Sequence, residues 1–342
     1  MSPRTFTLAS RPSQLAKTQT HMVVASLEAL YPPSADSPRF ATSFVSTAGD
    51  RNQSQALYLV GGKAFWTTDL ETALKDRRVD ILVHCLKDVP TTLPDGFVIG
   101  AILEREDPVD SLIVKAGKEW KSLEELPAGS VIGTSSVRRV AQLRRNFPHL
   151  KFLDVRGNLD TRVAKLDAVD GPYAALILAK AGMVRVGMGD RLTADIHPPT
   201  LFYAVAQGAL ALEVRSDDVE ALELCKQLIH RGTQWSCLAE RACLRVLEGG
   251  CSVPVGVSTQ LDDASGELEL TGCVTSLDGG QHIQHTLKET IRSAEEAEAV
   301  GVRLAKILVD IGAREILADI SKDRERRVVE AEANEAKETV VQ

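Results

Sequence analysis

The sequence predicts an α/β protein built from βαβ units, with a smaller α+β unit toward its C-terminal end. Three observations carry this. Short apolar runs alternate with helical periodicity through the first two thirds of the chain, the pattern of parallel sheets covered by helices. Polar and cationic residues gather where those runs stop. In the last third the pattern changes to three strand-like runs set between helical stretches, the last two joined by Asp278-Gly279-Gly280.

The elements follow in order. Thr5–Ala9 reads as a strand, and Pro12 to Leu30 as a helix with apolar residues at Leu15, Met22, Val23, Leu27 and Leu30. Arg11 and Ser13 therefore sit where a strand hands over to a helix. Val79–His84 and Val98–Leu103 are apolar strands. Val131-Ile132-Gly133 ends a strand, Thr134-Ser135-Ser136 supplies a helix cap, and Val137–Phe147 is the helix. Phe152–Val155, the turn Arg156-Gly157-Asn158 and the helix Leu159–Leu166 repeat the plan, as does the strand Ala174–Leu178 with a short helix after it. Ser216–His230 and Thr233–Leu247 are helical. Val253–Gln260, Glu267–Ser276 and His282–Glu289 form a three-stranded antiparallel meander, and a helix runs from Ser293 to Ile320. The charged remainder, 321–342, is expected to be disordered because it holds too little apolar surface to repay ordering.

Bulk properties narrow the function. At 342 residues the chain holds two or three domains by a rough rule of 150 residues each. No apolar run approaches the roughly 20 residues of a membrane span, and the first residues lack a signal-peptide pattern, so a cytoplasmic location is expected. Six scattered cysteines form no C-x-x-C pair, which argues for free thiols and against a structural zinc site. A net charge of −7 speaks against nucleic-acid binding. Yet Val131 to Lys165 carries eight cationic side chains against two aspartates, a local field suited to a polyanionic small ligand.

Three segments bear the chemistry. Gly133-Thr134-Ser135-Ser136-Val137-Arg138-Arg139 places hydroxyls and two arginines at a helix N-terminus, where backbone N–H groups favour anions. Taken alone, a capped helix with exposed arginines is the plainer reading. Arg156, Arg162 and Arg185 at two further strand ends shift the balance toward a shared multi-carboxylate site, because ligands of open α/β sheets bind beyond the carboxyl ends of the strands. His84-Cys85-Leu86-Lys87-Asp88-Val89-Pro90 leaves an apolar strand for a Pro-fixed turn. An aspartate there can stabilise a cation or move a proton, although a local Lys–Asp pair closing a turn is the plainer reading. His84 itself reads as a packed core histidine. Leu247-Glu248-Gly249-Gly250-Cys251-Ser252-Val253-Pro254-Val255 sets a thiol on a glycine turn, where it is accessible to covalent chemistry; an inert turn cysteine is the competing reading.

Together these segments resemble the porphobilinogen deaminase family. Arg11-Pro12-Ser13-Gln14-Leu15-Ala16, Val79-Asp80, Ala204–Glu213 and Glu240-Arg241-Ala242 extend the likeness, which covers the chain from Thr7 to about Ile291. The resemblance implies two lobes like those of periplasmic binding proteins, at 1–105 with 206–230 and at 106–205. A third α+β domain at 231–320 carries the cofactor cysteine, and the tail 321–342 follows. It implies a transferase that joins four porphobilinogen molecules head to tail, with loss of ammonia, onto a covalent dipyrromethane, and then releases hydroxymethylbilane by hydrolysis. Asp88 is then the catalytic residue and Cys251 the thioether carrier. Lys87, Cys85, Thr134, Ser135, Ser136, Arg138, Arg139 and Gln207 contact the cofactor. Arg11, Ser13, Gln19, Arg156, Arg162 and Arg185 bind the substrate and the growing oligopyrrole. A monomer is implied, with hinge motion between the lobes, no metal, no nucleic acid and no membrane.

The chain departs from the family pattern at Cys85, where serine is usual, and at Ala206 and Ala211, where glycine is usual. A thiol donates a weaker hydrogen bond than a hydroxyl, and alanine stiffens backbone that glycine leaves free. Lys63–Thr67 is an altered family segment to which no role is given. The alternative from another class is a non-enzymatic two-lobed anion-binding protein. It gives no reason for Asp88 beside Lys87, nor for Cys251.

Overall fold

The computed structural model describes residues 4–32, 34, 37–51, 64–247 and 253–341. Cys251, most of the glycine turn around it and part of the Lys63–Thr67 segment lie outside the described residues.

The first lobe begins with β1 (Thr5–Ser10), α1 (Gln14–Leu30), β2 (Arg39–Phe44), a single turn α2 (Ala48–Arg51), α3 (Ala64–Lys75), β3 (Ile81–Cys85) and β4 (Phe97–Ile102). The chain then crosses to a second lobe of β5 (Asp110–Val114), β6 (Val131–Gly133), α4 (Val137–Asn146), β7 (Lys151–Leu153), α5 (Leu159–Asp167), β8 (Ala175–Ala179), α6 (Lys180–Arg185) and β9 (Ala194–Ile196). It crosses back through β10 (Leu210–Arg215) and α7 (Val219–Lys226). The last unit holds α8 (Arg231–Val246), β11 (Val255–Asp262), β12 (Glu267–Thr275), β13 (His282–Thr290), α9 (Ala294–Leu308) and α10 (Arg314–Val341).

Two five-stranded sheets result, ordered β2-β1-β3-β10-β4 and β7-β6-β8-β5-β9, beside a three-stranded sheet β11-β12-β13. The expectation of parallel sheets holds for β1 with β2 and β3, and for β6 with β7 and β8. It fails for β10 and β5, which run antiparallel to their neighbours. Both strands adjoin the crossover segments, so each enters its sheet from the opposite end. The β3-Leu82 and β10-Leu212 side chains are wholly buried, as are Leu112 and Ile177 on β5 and β8. Strands covered on both faces this way read as apolar runs rather than alternation.

The two crossover segments touch. Gly208 has φ +89°, and a β-carbon there would lie 2.2 Å from the Glu106 carbonyl oxygen, so only glycine fits. Arg105 on the outgoing segment donates to Gln207 O on the returning one at 2.7 Å. It also pairs with Glu240 of α8 at 2.6 Å. The last unit therefore braces both crossovers.

The C-terminal end departs from expectation. The predicted helix over Ser293–Ile320 is broken at Gly312, with φ +119°, and α10 continues through residues expected to be disordered. Ile316 and Ile320 bury its first turns. Beyond them, Arg326 and Arg327 each pair with Asp323, at 2.7 and 2.8 Å, the i,i+3 and i,i+4 spacings that support an exposed helix. Low apolar content had argued against packing, and these local pairs need none.

Candidate active site

The carboxyl ends of β1 and β3 in one lobe, and of β6, β7 and β8 in the other, open on a shared cleft of about 410 Å³. It is lined by Arg11, Ser13, Gln19, Cys85, Lys87 and Asp88 from the first lobe. Ser135, Ser136, Arg138, Arg139, Arg156, Arg162 and Arg185 line it from the second, with Gln207 from the returning crossover. Thr134 is not among the lining residues. It is buried behind the loop, where its hydroxyl accepts from Ser136 N at 3.3 Å.

The first-lobe wall follows from how β3 ends. Leu86–Asp88 make one 3₁₀ turn, held by Leu86 N donating to Ala209 O at 3.0 Å and Val89 N to Leu86 O at 3.2 Å. The turn brings Asp88 to the cleft half-buried, with no hydrogen bond or ion pair to the described residues. Lys87 points across to Gln207, donating to Oε1 at 3.3 Å. Burial lowers the Lys87 ammonium below its ordinary range, against the pull of the Asp88 charge. Cys85 faces Gln19, which donates Nε2–H to Sγ at 3.1 Å. Burial, and next the Asp88 charge, push its thiol up, so it stays protonated at neutral pH. His84 is buried, as expected of a core residue, with Nε2 3.0 Å from the buried Glu213 carboxylate.

The arginines divide into two kinds. Arg138 and Arg139, adjacent on the first turn of α4, both turn onto Asp110 of β5, at 2.8 and 2.7 Å. Arg139 also donates to Ile177 O at 2.8 Å, and Arg138 to Phe202 O at 2.6 Å. Gln207 completes the cluster, donating to Asp110 at 2.9 Å. Burial pushes the Asp110 carboxyl up, but the two guanidinium charges outweigh it and hold it well below the usual carboxylate range. Two cations on one anion leave a fixed surplus of one positive charge in the wall. Among the described residues, Arg162 and Arg185 instead bond only to backbone oxygens, Gly157 O at 2.8 Å and Gly208 O at 2.6 Å. Burial, with the charges of Arg139 and Arg156, lowers Arg162 to about 10. The Arg185 Nε–H is buried without an acceptor. No carboxylate among the described residues pairs with either guanidinium.

Several hydroxyls do structural work. Ser136 caps α4 by accepting from Arg139 N, and Ser13 caps α1 by accepting from Ala16 N. Ser135 donates to Val155 O at 2.7 Å. Sequence reading missed two lining residues, Asp50 and Trp66. Asp50 forms an ion pair with Arg11, and the Arg11 guanidinium lies 4.2 Å from the Trp66 ring centroid. Arg11 is therefore held on two sides. Only the Arg-Pro-Ser motif pointed there, because its partners come from α2 and α3, some 40 and 55 residues on in sequence.

Among the described residues no helix is long and apolar enough to cross a membrane, and no group of metal-ligating side chains is found. Comparison with known proteins adds the family. A family model described as porphobilinogen deaminase, dipyromethane cofactor binding domain, matches residues 6–223, and one described as its C-terminal domain matches 235–310. The porphobilinogen deaminase of Synechococcus elongatus is 49% identical, covering 93% of this chain and 96% of that protein. That of Nostoc is 47% identical, covering 94% and 97%. That of Debaryomyces hansenii is 43% identical, covering 93% and 88%. The periplasmic aliphatic sulphonate binding protein SsuA of Escherichia coli aligns with a TM-score of 0.36 at 13% identity, covering 72% of this chain and 76% of that one, too distant to carry an argument. A cleft fed by five strand ends and walled by arginines, onto which Asp88 opens without a partner among the described residues, thus sits in a chain that belongs to the porphobilinogen deaminase family, whose cofactor is a dipyrromethane.

Proposed function

We propose that the cleft condenses four porphobilinogen molecules head to tail and releases hydroxymethylbilane, with Asp88 as the catalytic group and Cys251 as the cofactor's thioether carrier. The observation that carries this reading is the Asp88 carboxylate, unpaired among the described residues, on the same cleft as Arg162 and Arg185, whose hydrogen bonds to described residues go only to backbone oxygens. Each pyrrole unit brings an acetate and a propionate, and the arginine wall holds these anions. The orphaned Arg185 Nε–H suits a carboxylate of this kind.

The residues present fit a dipyrromethane. When bound, it supplies the free pyrrole α-carbon to which the first unit is joined. Lys87, Cys85, Ser135, Ser136, Arg138, Arg139 and Gln207, which line the cleft, would hold it, and Thr134 would support them from behind through Ser136. Arg138 and Arg139 act through their tie to Asp110, as a rigid positive wall rather than as mobile clamps. Arg11, Ser13, Gln19, Arg156, Arg162 and Arg185 bind the incoming porphobilinogen and the growing chain.

Loss of ammonia from porphobilinogen leaves a cationic, electrophilic carbon conjugated with the pyrrole nitrogen. Asp88 sits where its charge stabilises that cation and accepts or returns the pyrrole N–H proton. Lys87 keeps the site polar without pairing off the aspartate, because its ammonium is directed to Gln207. The enzyme, a transferase, acts as a cytoplasmic monomer, and the lobes 1–105 with 206–230 and 106–205 adjust about the braced crossovers as the chain lengthens.

The test is intact-mass measurement of the purified protein with peptide mapping, before and after incubation with porphobilinogen. A dipyrromethane adduct on the Cys251 peptide, absent from Cys251→Ala, is expected. An adduct on another cysteine would move the carrier. An enzyme that turns over without any adduct would remove covalent attachment from the reading.

A further inference from the structure

The Asp88 turn is held from outside its own lobe. Arg241, on α8 of the last unit, donates Nη1–H to Val89 O at 3.1 Å and Nη2–H to Pro90 O at 2.6 Å. These are the two carbonyls that follow Asp88. The Arg241 side chain is 5% exposed and makes no ion pair with the described residues. A guanidinium buried without a carboxylate is costly, and such burial is found where the rigid planar fork fixes something. Here it fixes two successive peptide planes. Burial also lowers Arg241 to about 10, which leaves it charged at neutral pH.

Leu86 N is tied to Ala209 O on one side of Asp88, and Pro90 has no N–H to give on the other. Without Arg241, the segment leaving Asp88 loses both hydrogen bonds from α8 to its first two carbonyls. The neighbouring Glu240 accepts from Ala206 N at 2.6 Å and pairs with Arg105. One turn of α8 therefore grips the catalytic turn and both crossovers. In sequence the same helix ends five residues before Cys251.

We infer that Arg241 is a positioning residue for the condensation: it sets the Asp88 carboxylate within the cleft by clamping the Val89 and Pro90 carbonyls. The inference rests on the reading of Asp88 as the catalytic group. A misplacement of about 1 Å in such a group costs up to about 100-fold in rate.

The experiment uses the loaded holoenzyme, with the loaded fraction taken from intact mass and folding from circular dichroism and thermal denaturation. Arg241→Met is expected to lower the single-turnover rate at saturating porphobilinogen at least about 10-fold while KM moves less than about threefold. Arg241→Lys, which keeps one donor, should recover part of the loss. In an Asp88→Glu background, where the carboxylate is already displaced, Arg241→Met should cost much less than in the parent. An unchanged rate per loaded, folded molecule overturns the inference, and so does an equal loss in both backgrounds, which marks a purely structural residue. Should Arg241→Met not load, Arg241→Lys is carried through the same two backgrounds with the same criteria. Full activity in Asp88→Asn would instead remove the underlying reading of Asp88; an inactive Asp88→Asn beside a fully active Arg241→Met would remove the clamp alone.

Discussion

Arg138 and Arg139, and Arg162 and Arg185, share the second-lobe wall of the cleft, look alike in sequence and differ in what they hold. The first pair is bound to a buried aspartate and to carbonyls, so its geometry is finished before any ligand arrives. Among the described residues the second pair bonds only to backbone oxygens, with one buried donor left over. The arginines of the cleft therefore separate into those tied to a carboxylate and those tied to backbone, and the partner, not the residue type, tells them apart. The same contrast applies to carboxylates. Asp110 is consumed by its arginines, whereas Asp88 is left to the cleft.

The contrast predicts effects of different size and kind. The largest is at Asp88. Asp88→Asn should keep the fold and thermal stability while turnover falls at least about 100-fold, since a general acid–base group contributes about that much or more. Steady-state assay beside circular dichroism checks this, and normal turnover would erase the distinction between the two aspartates.

Asp110→Asn should do the reverse, lowering stability by about 3–5 kcal/mol because two buried guanidinium groups lose their counter-charge. Its pH signature follows in sign. The Asp110 carboxyl is depressed when folded, so its contribution is present above the unfolded value near 3.8 and disappears as pH falls toward the folded one. Urea titrations from pH 5 downward should show the parent losing stability in that window and Asp110→Asn losing less of it. Parallel curves would mean that the pair is not the acid-sensitive element.

Arg162→Gln should raise KM by about 10- to 100-fold with little change in stability, the loss of one charge-assisted contact. A large stability loss with KM unchanged would place Arg162 with Arg138 rather than with Arg185. The smallest effect concerns Ala206, which has φ +59°, the left-handed region that glycine enters without strain. Ala206→Gly should stabilise by about 1 kcal/mol or less, the relief being partly offset by glycine's greater freedom when unfolded. A fall in the urea midpoint would show that the rigidity of alanine at this crossover outweighs its strain. Ala211, the other departure from the family pattern, lies inside β10 opposite His84 and Ile102, where a β-carbon meets no such conflict.

Much of the site was legible because its signals are short-range. Strand-then-cap-then-helix sequences placed Ser13, Ser136 and the Arg156 turn at strand ends, and parallel strands bring those ends to one edge. Asp50 and Trp66 were not legible, since their roles come from packing against Arg11 across 39 and 55 residues. Arg241 was visible only as part of a family motif, because its partners lie about 150 residues earlier.

The sequence by itself determined the alternation of strands and helices, the change to a meander in the last third, and the gathering of cations at strand ends, because hydrophobic period, capping and turn chemistry act over a few residues. Tertiary structure alone decided the antiparallel entry of β5 and β10, the commitment of Arg138 and Arg139 to Asp110, and the grip of Arg241 on the Asp88 turn. Each of these depends on which distant group is close enough to pair in a low-dielectric interior, and no local pattern encodes that distance.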